Sequence, residues 1–198
     1  MGIEDRFKKA VEIKETIPAH EISFAFIKPD FINDLPEIEK ILKDHGLSIL
    51  YKDKIILNEN AIDDIYKDSK GEHFYSAMKE YLTKNKVVVL MVHGKGSEVQ
   101  KVLLSLKKVN GKNGIIRERF QKEPPVSSDD LALWNERKHP KQDEVSVLLT
   151  QKNVIHTSDN AEEALSSLKL ILGDRFKNLE ERGNLPAELW GIFNNDKK

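Results

Sequence analysis

Lys86-Val87-Val88-Val89-Leu90-Met91-Val92 is an unbroken apolar run behind a single lysine, with four β-branched members. Such a run reads as a strand buried on both faces, and therefore as a central strand of its sheet. Behind it, Asn58 to Asn85 reads as a helical pair broken at Gly71. Ile62, Ile65 and Tyr66 lie on the first helix, and Phe74, Met78, Tyr81 and Leu82 on the second. Ahead of it, Val99, Val102, Leu103 and Leu106 recur at helical spacing from Ser97, and Asn110 to Gly114 reads as a flexible loop.

Further back, Leu47 to Leu57 reads as a strand. It is preceded by a helix with Ile38, Ile41 and Leu42 on one face, opened by a capping-box pattern at Asp34 to Glu37 and stopped at Gly46. Ile22 to Ile27 is a second buried strand, closed by Lys28-Pro29-Asp30. On the other side, Ile115 to Phe120 carries Arg117 and Arg119. Residues 121 to 144, with Pro124-Pro125, Ser127-Ser128 and His139-Pro140, then read as an irregular insertion. Val145 to Thr150 reads as a strand or strand entry. Asn153-Val154-Ile155-His156-Thr157-Ser158-Asp159 brings a histidine to the start of a helix carrying Ala161, Ala164, Leu165, Leu168, Ile171 and Leu172, where Asp159 and Glu162 form a capping-box pattern.

The sum is β-α-β-β-α-β, an α+β, ferredoxin-like antiparallel sheet with a helical pair inserted between its second and third strands. The expected organisation is an N-terminal helical extension over 1–20, a domain over 21–173 with its insertion at about 121–144, and a C-terminal tail over 174–198. Aromatic and aliphatic residues such as Trp190 and Phe193 would anchor that tail across the domain or a partner subunit.

Composition narrows the function classes. The chain has 198 residues, a third of them charged and 39% hydrophobic, as in a soluble globular protein. No apolar run approaches the roughly 18 residues that span a bilayer, so no membrane partner is expected. Met1 to His20 mixes acids and bases and does not resemble a secretory signal. There is no cysteine, which excludes thiol chemistry and fits a cytoplasmic protein. The net charge of −1 gives no global field to attract nucleic acid, and the sheet lacks the surface aromatics of an RNA binder.

His156 just before a helix N-terminus suits phosphate chemistry, because unpaired N–H groups and the helix dipole favour an anion there. A structural or solvated histidine is the other reading. Lys28, at a strand end and held by Pro29, is either solvated or aimed at a phosphate.

The segments SFAFIKPD (23–30), the spacing of Tyr66 and Phe74, VVVLMV (87–92), IIR (115–117) and NVIHTSD (153–159) together resemble nucleoside diphosphate kinases, over about Ile22 to Leu172. The resemblance implies that His156 takes the terminal phosphate of a nucleoside triphosphate as a phosphohistidine and passes it to a diphosphate in a ping-pong cycle. It implies a magnesium ion carried by the nucleotide phosphates rather than by protein ligands, and a homo-oligomer. By residue-wise match, Lys28 contacts phosphate and sugar hydroxyl, Tyr66 steadies the lysine and histidine, and Phe74 stacks on the base. Arg117 holds phosphate, Asn153 bonds the ribose 3′-hydroxyl, and Ser158 supports the histidine.

The chain also departs from that pattern. Leu103 stands where the family has a second phosphate-binding arginine, Val109 where it has a phosphate-binding threonine, and Ser167 where a glutamate orients the histidine. A charge-assisted hydrogen bond is worth roughly 1.5–3 kcal/mol, so losing the arginine alone implies about a ten- to hundredfold weaker hold on phosphate. The loop between Val109 and Arg117 is shorter than usual in the family, and residues 121–152 are longer. The insertion's Arg137, Lys138, His139 and Lys141 either fold over the nucleotide and replace a lost contact or form an exposed basic loop. The alternative to an active kinase is a catalytically weak or inactive nucleotide-binding, regulatory protein.

Overall fold

A computed structural model describes residues 21–94, 99–109, 112–121 and 126–181; the expected N-terminal helix and the tail beyond 181 lie outside the described residues. In chain order, β1 (Ile22–Ile27) leads through a 3-10 turn (Pro29–Asp34) to α1 (Leu35–Asp44) and β2 (Ser48–Ile56). The helical pair is α2 (Glu59–Ile65), a 3-10 turn (Lys67–Ser69) and α3 (Tyr75–Lys84), followed by β3 (Lys86–His93) and α4 (Val99–Lys107). Short strands β4 (Lys108–Val109) and β5 (Lys112–Asn113) precede α5 (Ile115–Phe120), α6 (Ser128–Asn135) and α7 (Gln142–Thr150). The chain then runs through β6 (Ile155–Thr157) into α8 (Ala161–Glu181).

The main sheet has the order β2-β3-β1-β6, with every pairing antiparallel. This is the ferredoxin-like arrangement that the β-α-β-β-α-β reading implies, with the helical pair between β2 and β3. β1 and β3 occupy the middle, which explains why both are apolar on both faces. Alternation sends Phe24, Phe26, Val87, Val89 and Met91 to a layer formed by α2, α3 and α8. Ala25, Ile27, Val88, Leu90 and Val92 face α1, α4 and α5 on the other side. Each fully buried Leu, Ile, Val or Phe side chain contributes about 1.5–3 kcal/mol, so the two layers hold the central strands in fixed register.

Four local expectations are corrected. Val145 to Thr150 is helical, within α7, not a strand. Asp143 and Glu144 favour its N-terminal turn, and Ser146 is buried under Trp134, whose Nε1 donates to the serine hydroxyl at 2.8 Å. The segment between 121 and 144 is not irregular throughout, since it contains α6, capped by the Ser127 side chain accepting from the Asp130 N–H. At α1, Asp34 makes no capping bond because the preceding 3-10 turn leaves it in a helical conformation, not the extended one a cap needs. The cap of α8 is one residue later than expected. Asn160 Oδ1 accepts from the Glu163 N–H at 2.8 Å, while the Glu163 carboxylate accepts from the Asp159 N–H at 3.0 Å.

Part of the segment read as a flexible loop after α4 is paired. Lys112 and Asn113 pair back on Val109 and Lys108, and Gly114 donates to the Lys107 carbonyl at 2.9 Å. A Cβ on Gly114 would lie 2.2 Å from the Ser105 carbonyl oxygen, so only glycine allows α4 and α5 to meet here. That junction fixes the end of α4 against the start of the helix carrying Arg117.

Candidate active site

His156 is placed by the edge strand β6, where it pairs with Phe26 across the ladder to β1. Its ring stacks on Phe26 with centroids 4.9 Å apart at 20° and meets Tyr66 at 5.1 Å. Nε2 is buried and has no hydrogen-bond partner among the described residues. The hydroxyls of Ser158 and Ser167 are also buried and unpartnered, so packing between aromatic rings orients the imidazole here.

The approach to this strand is strained. Val154 is fully buried with φ of 64°, a left-handed conformation that a β-branched residue rarely adopts and that costs on the order of 1–3 kcal/mol. The surroundings hold it there. The Lys28 N–H donates to the Val154 carbonyl at 2.9 Å, Arg117 Nε donates to the Asn153 carbonyl at 3.0 Å, and Arg117 Nη2 reaches the Ile155 carbonyl at 3.4 Å.

Lys28, Tyr66, Phe74, Arg117, Asn153 and His156 all border one cavity of about 130 Å³. Ser158 does not; it lies buried behind the histidine, with its N–H donating to the Phe24 carbonyl at 3.1 Å. The Lys28 side chain is buried, and its ammonium donates to the carbonyl of Thr150, the last residue of α7. The negative end of that helix thus faces the cation. Asn153 Nδ2 donates to the Leu149 carbonyl at 2.7 Å, leaving its own Oδ1 unpartnered.

A second, larger cavity of about 510 Å³ also reaches His156, bordered by Lys67, Asp159, Asn160 and Glu163. Tyr66, Ser69, Lys107 and His156 border both.

Burial is the largest cause holding the His156 pKa well below 6.5, and the charges of Lys107, Lys28 and Arg117 add to it. The ring is therefore neutral near pH 7, as a nucleophile requires. Burial, with Arg117 and Lys107, likewise lowers Lys28 well below the usual lysine range. Burial brings Arg117 down to about 10 and pushes the Tyr66 phenol up. The site is a desolvated cluster of cations that gains from an incoming anion.

The insertion contacts the site through different residues from those its basic sequence indicates. Lys138 is paired with Glu136 at 2.8 Å on the surface, and neither it nor Arg137 borders either cavity. Instead Trp134 of α6 stacks on Phe74 at 5.5 Å and 26° and meets His73 edge-on at 4.8 Å. Gln142 Nε2 lies 2.7 Å from His73 Nε2. Trp134 covers Phe74, and Thr150 caps Lys28. The motif reading missed both residues, and it also missed Lys107. Leu103 is fully buried in the core and cannot hold phosphate; the side chain of Val109 lies outside the described residues.

Residues 21–176 match the family model described as nucleoside diphosphate kinase. The chain is 24% identical over 153 residues to a nucleoside diphosphate kinase of Methanocaldococcus jannaschii, covering 76% of this chain and 92% of that protein. It is 27% identical over 158 residues to one of Pyrococcus abyssi, covering 78% and 85%. A crystal structure of nucleoside diphosphate kinase from Encephalitozoon cuniculi shares the fold, with a TM-score of 0.54 and 22% identity over 78% of this chain and 90% of that one.

Proposed function

The chain belongs to the nucleoside diphosphate kinase family, and from that premise we propose that His156 carries the phosphoryl group between nucleotides. The observation that supports this reading is a neutral, half-buried imidazole, its Nε2 enclosed, with Lys28, Lys107 and Arg117 around it at the junction of two cavities. With Nε2 enclosed, the attacking atom is Nδ1, and the ring proton stays on Nε2. Nδ1 forms a bond to the terminal phosphorus while the bond from that phosphorus to the bridging oxygen breaks, releasing the diphosphate. A second diphosphate then attacks the phosphohistidine and restores the ring.

Lys28 and Arg117 neutralise the transferring phosphoryl oxygens, Asn153 Oδ1 accepts from a ribose hydroxyl, and Tyr66 packs against the ring and fixes its approach. For Lys28 to do so, its ammonium leaves the Thr150 carbonyl; for a base to reach Phe74, Trp134 leaves first. A magnesium ion would arrive on the nucleotide phosphates, as the family resemblance implies. Bound there, it would supply charge neutralisation for the leaving diphosphate.

The proposal places this chemistry in residues 21–173 of a cytoplasmic homo-oligomer. Among the described residues no helix is long and apolar enough to cross a membrane. Covered Phe74 and the absent glutamate partner favour a second reading, a weakly active nucleotide-binding regulator. Initial rates of phosphate transfer from ATP to GDP test the first: parallel double-reciprocal lines, lost in His156→Ala, are expected, whereas GDP binding without transfer favours the second.

A further inference from the structure

We infer that Lys107 is a phosphate-binding catalytic residue of this site, supplying from the end of α4 the positive charge that Leu103, one turn earlier on the same helix face, does not. The assignment rests on the kinase reading above.

Lysine at a helix C-terminus ordinarily points to solvent and complements the helix dipole. Lys107 does not: its side chain is 15% exposed and crosses to β6. Its ammonium has two long contacts there, the Thr157 carbonyl at 3.4 Å and the Asp159 carboxylate at 3.8 Å, and Asp159 is itself largely exposed. Among the described residues these are its polar contacts, and a desolvated ammonium so held is under-coordinated for a group with three donors. Among the described residues it is the one cation that borders both cavities beside His156. Lys28 and Arg117 border only the smaller one, so Lys107 joins their positive charge to the larger side, which Lys67, Asp68, Asp159, Glu162 and Glu163 also line.

Its position is fixed by the backbone. The Lys107 carbonyl accepts from Gly114, which has no space for a side chain, and Arg117 follows within the next turn of α5. Lys107 and Arg117 are therefore held on one rigid junction. A terminal phosphate reaching His156 meets the arginine fork on one side and the lysine point charge on the other. On binding, Lys107 exchanges its long contact to Asp159 for phosphoryl oxygen.

The test uses the full chain with Lys107→Met, Lys107→Gln and Lys107→Arg, and measures affinity for ADP and for adenosine by calorimetry beside phosphoenzyme formation from labelled ATP. Lys107→Met and Lys107→Gln are expected to lose about tenfold or more in ADP affinity, with adenosine unchanged and Lys107→Arg retaining most of the wild-type value. ADP affinity within about twofold of wild type in folded Lys107→Gln would overturn the assignment, as would an equal loss for adenosine, which marks a structural role. Wild-type protein that binds ADP but takes no label refutes phosphohistidine transfer while the ADP series still decides Lys107; wild type that binds no ADP refutes both.

Discussion

Replacing Trp134 by alanine should tighten nucleotide binding, although the change removes a large buried ring. Trp134 and Phe74 are stacked with centroids 5.5 Å apart, a separation that admits no third ring between them. A base that uses Phe74 must displace Trp134, and the observed dissociation constant is the intrinsic one divided by the uncovered fraction. An aromatic pair of this kind is worth about 0.5–1.5 kcal/mol beyond its buried area, which corresponds to a roughly two- to thirteenfold gain in ADP affinity when the ring is removed. The Trp134 bond to Ser146 joins α6 to α7 and is kept if the two helices open together, so it does not enter the difference. Calorimetric titration of ADP into wild type and Trp134→Ala measures it, and wild-type tryptophan emission should change on binding as the ring leaves Phe74. Affinity about tenfold weaker in Trp134→Ala would refute the reasoning and make Trp134 a platform for the base, not its competitor.

Three further outcomes are expected. Because the folded state holds His156 well below 6.5, the rate of phosphoenzyme formation should stay level as pH falls through 6.5. The unfolded chain takes up a proton there that the folded one refuses, so the wild type should lose stability on that descent, down to the folded-state pKa, relative to His156→Phe. Denaturant titrations of the two across that range check it. Gly114→Ala should destabilise by about 1–3 kcal/mol or more in urea unfolding, because the added methyl meets backbone that cannot move aside. Arg137→Ala with Lys138→Ala should leave ADP affinity within about twofold of wild type, since neither side chain borders the cavities.

Elements whose place depends on local pattern were readable from sequence. Val87 to Val92 must be central because both faces are apolar, and Lys28, Tyr66, Phe74, Arg117, Asn153 and His156, named through the family resemblance, border one cavity. Residues whose role depends on distant packing were not. Val145-Ser146-Val147-Leu148-Leu149-Thr150 has the composition of a strand, and only its burial against α6 makes it a helix. Lys107 reads as one more charged residue at a helix end until the fold brings it to Thr157, fifty positions later. Arg137 and Lys138 misled in the opposite sense: their charge drew attention to the insertion, while its apolar Trp134 makes the contact.

The central claim is that His156 itself carries the phosphate. Full-length protein incubated with terminally labelled ATP and magnesium should acquire an acid-labile label that maps to His156, is absent from His156→Ala and discharges onto added GDP. Wild-type protein that binds ADP yet acquires no label, or acquires one that His156→Ala keeps, would contradict the account.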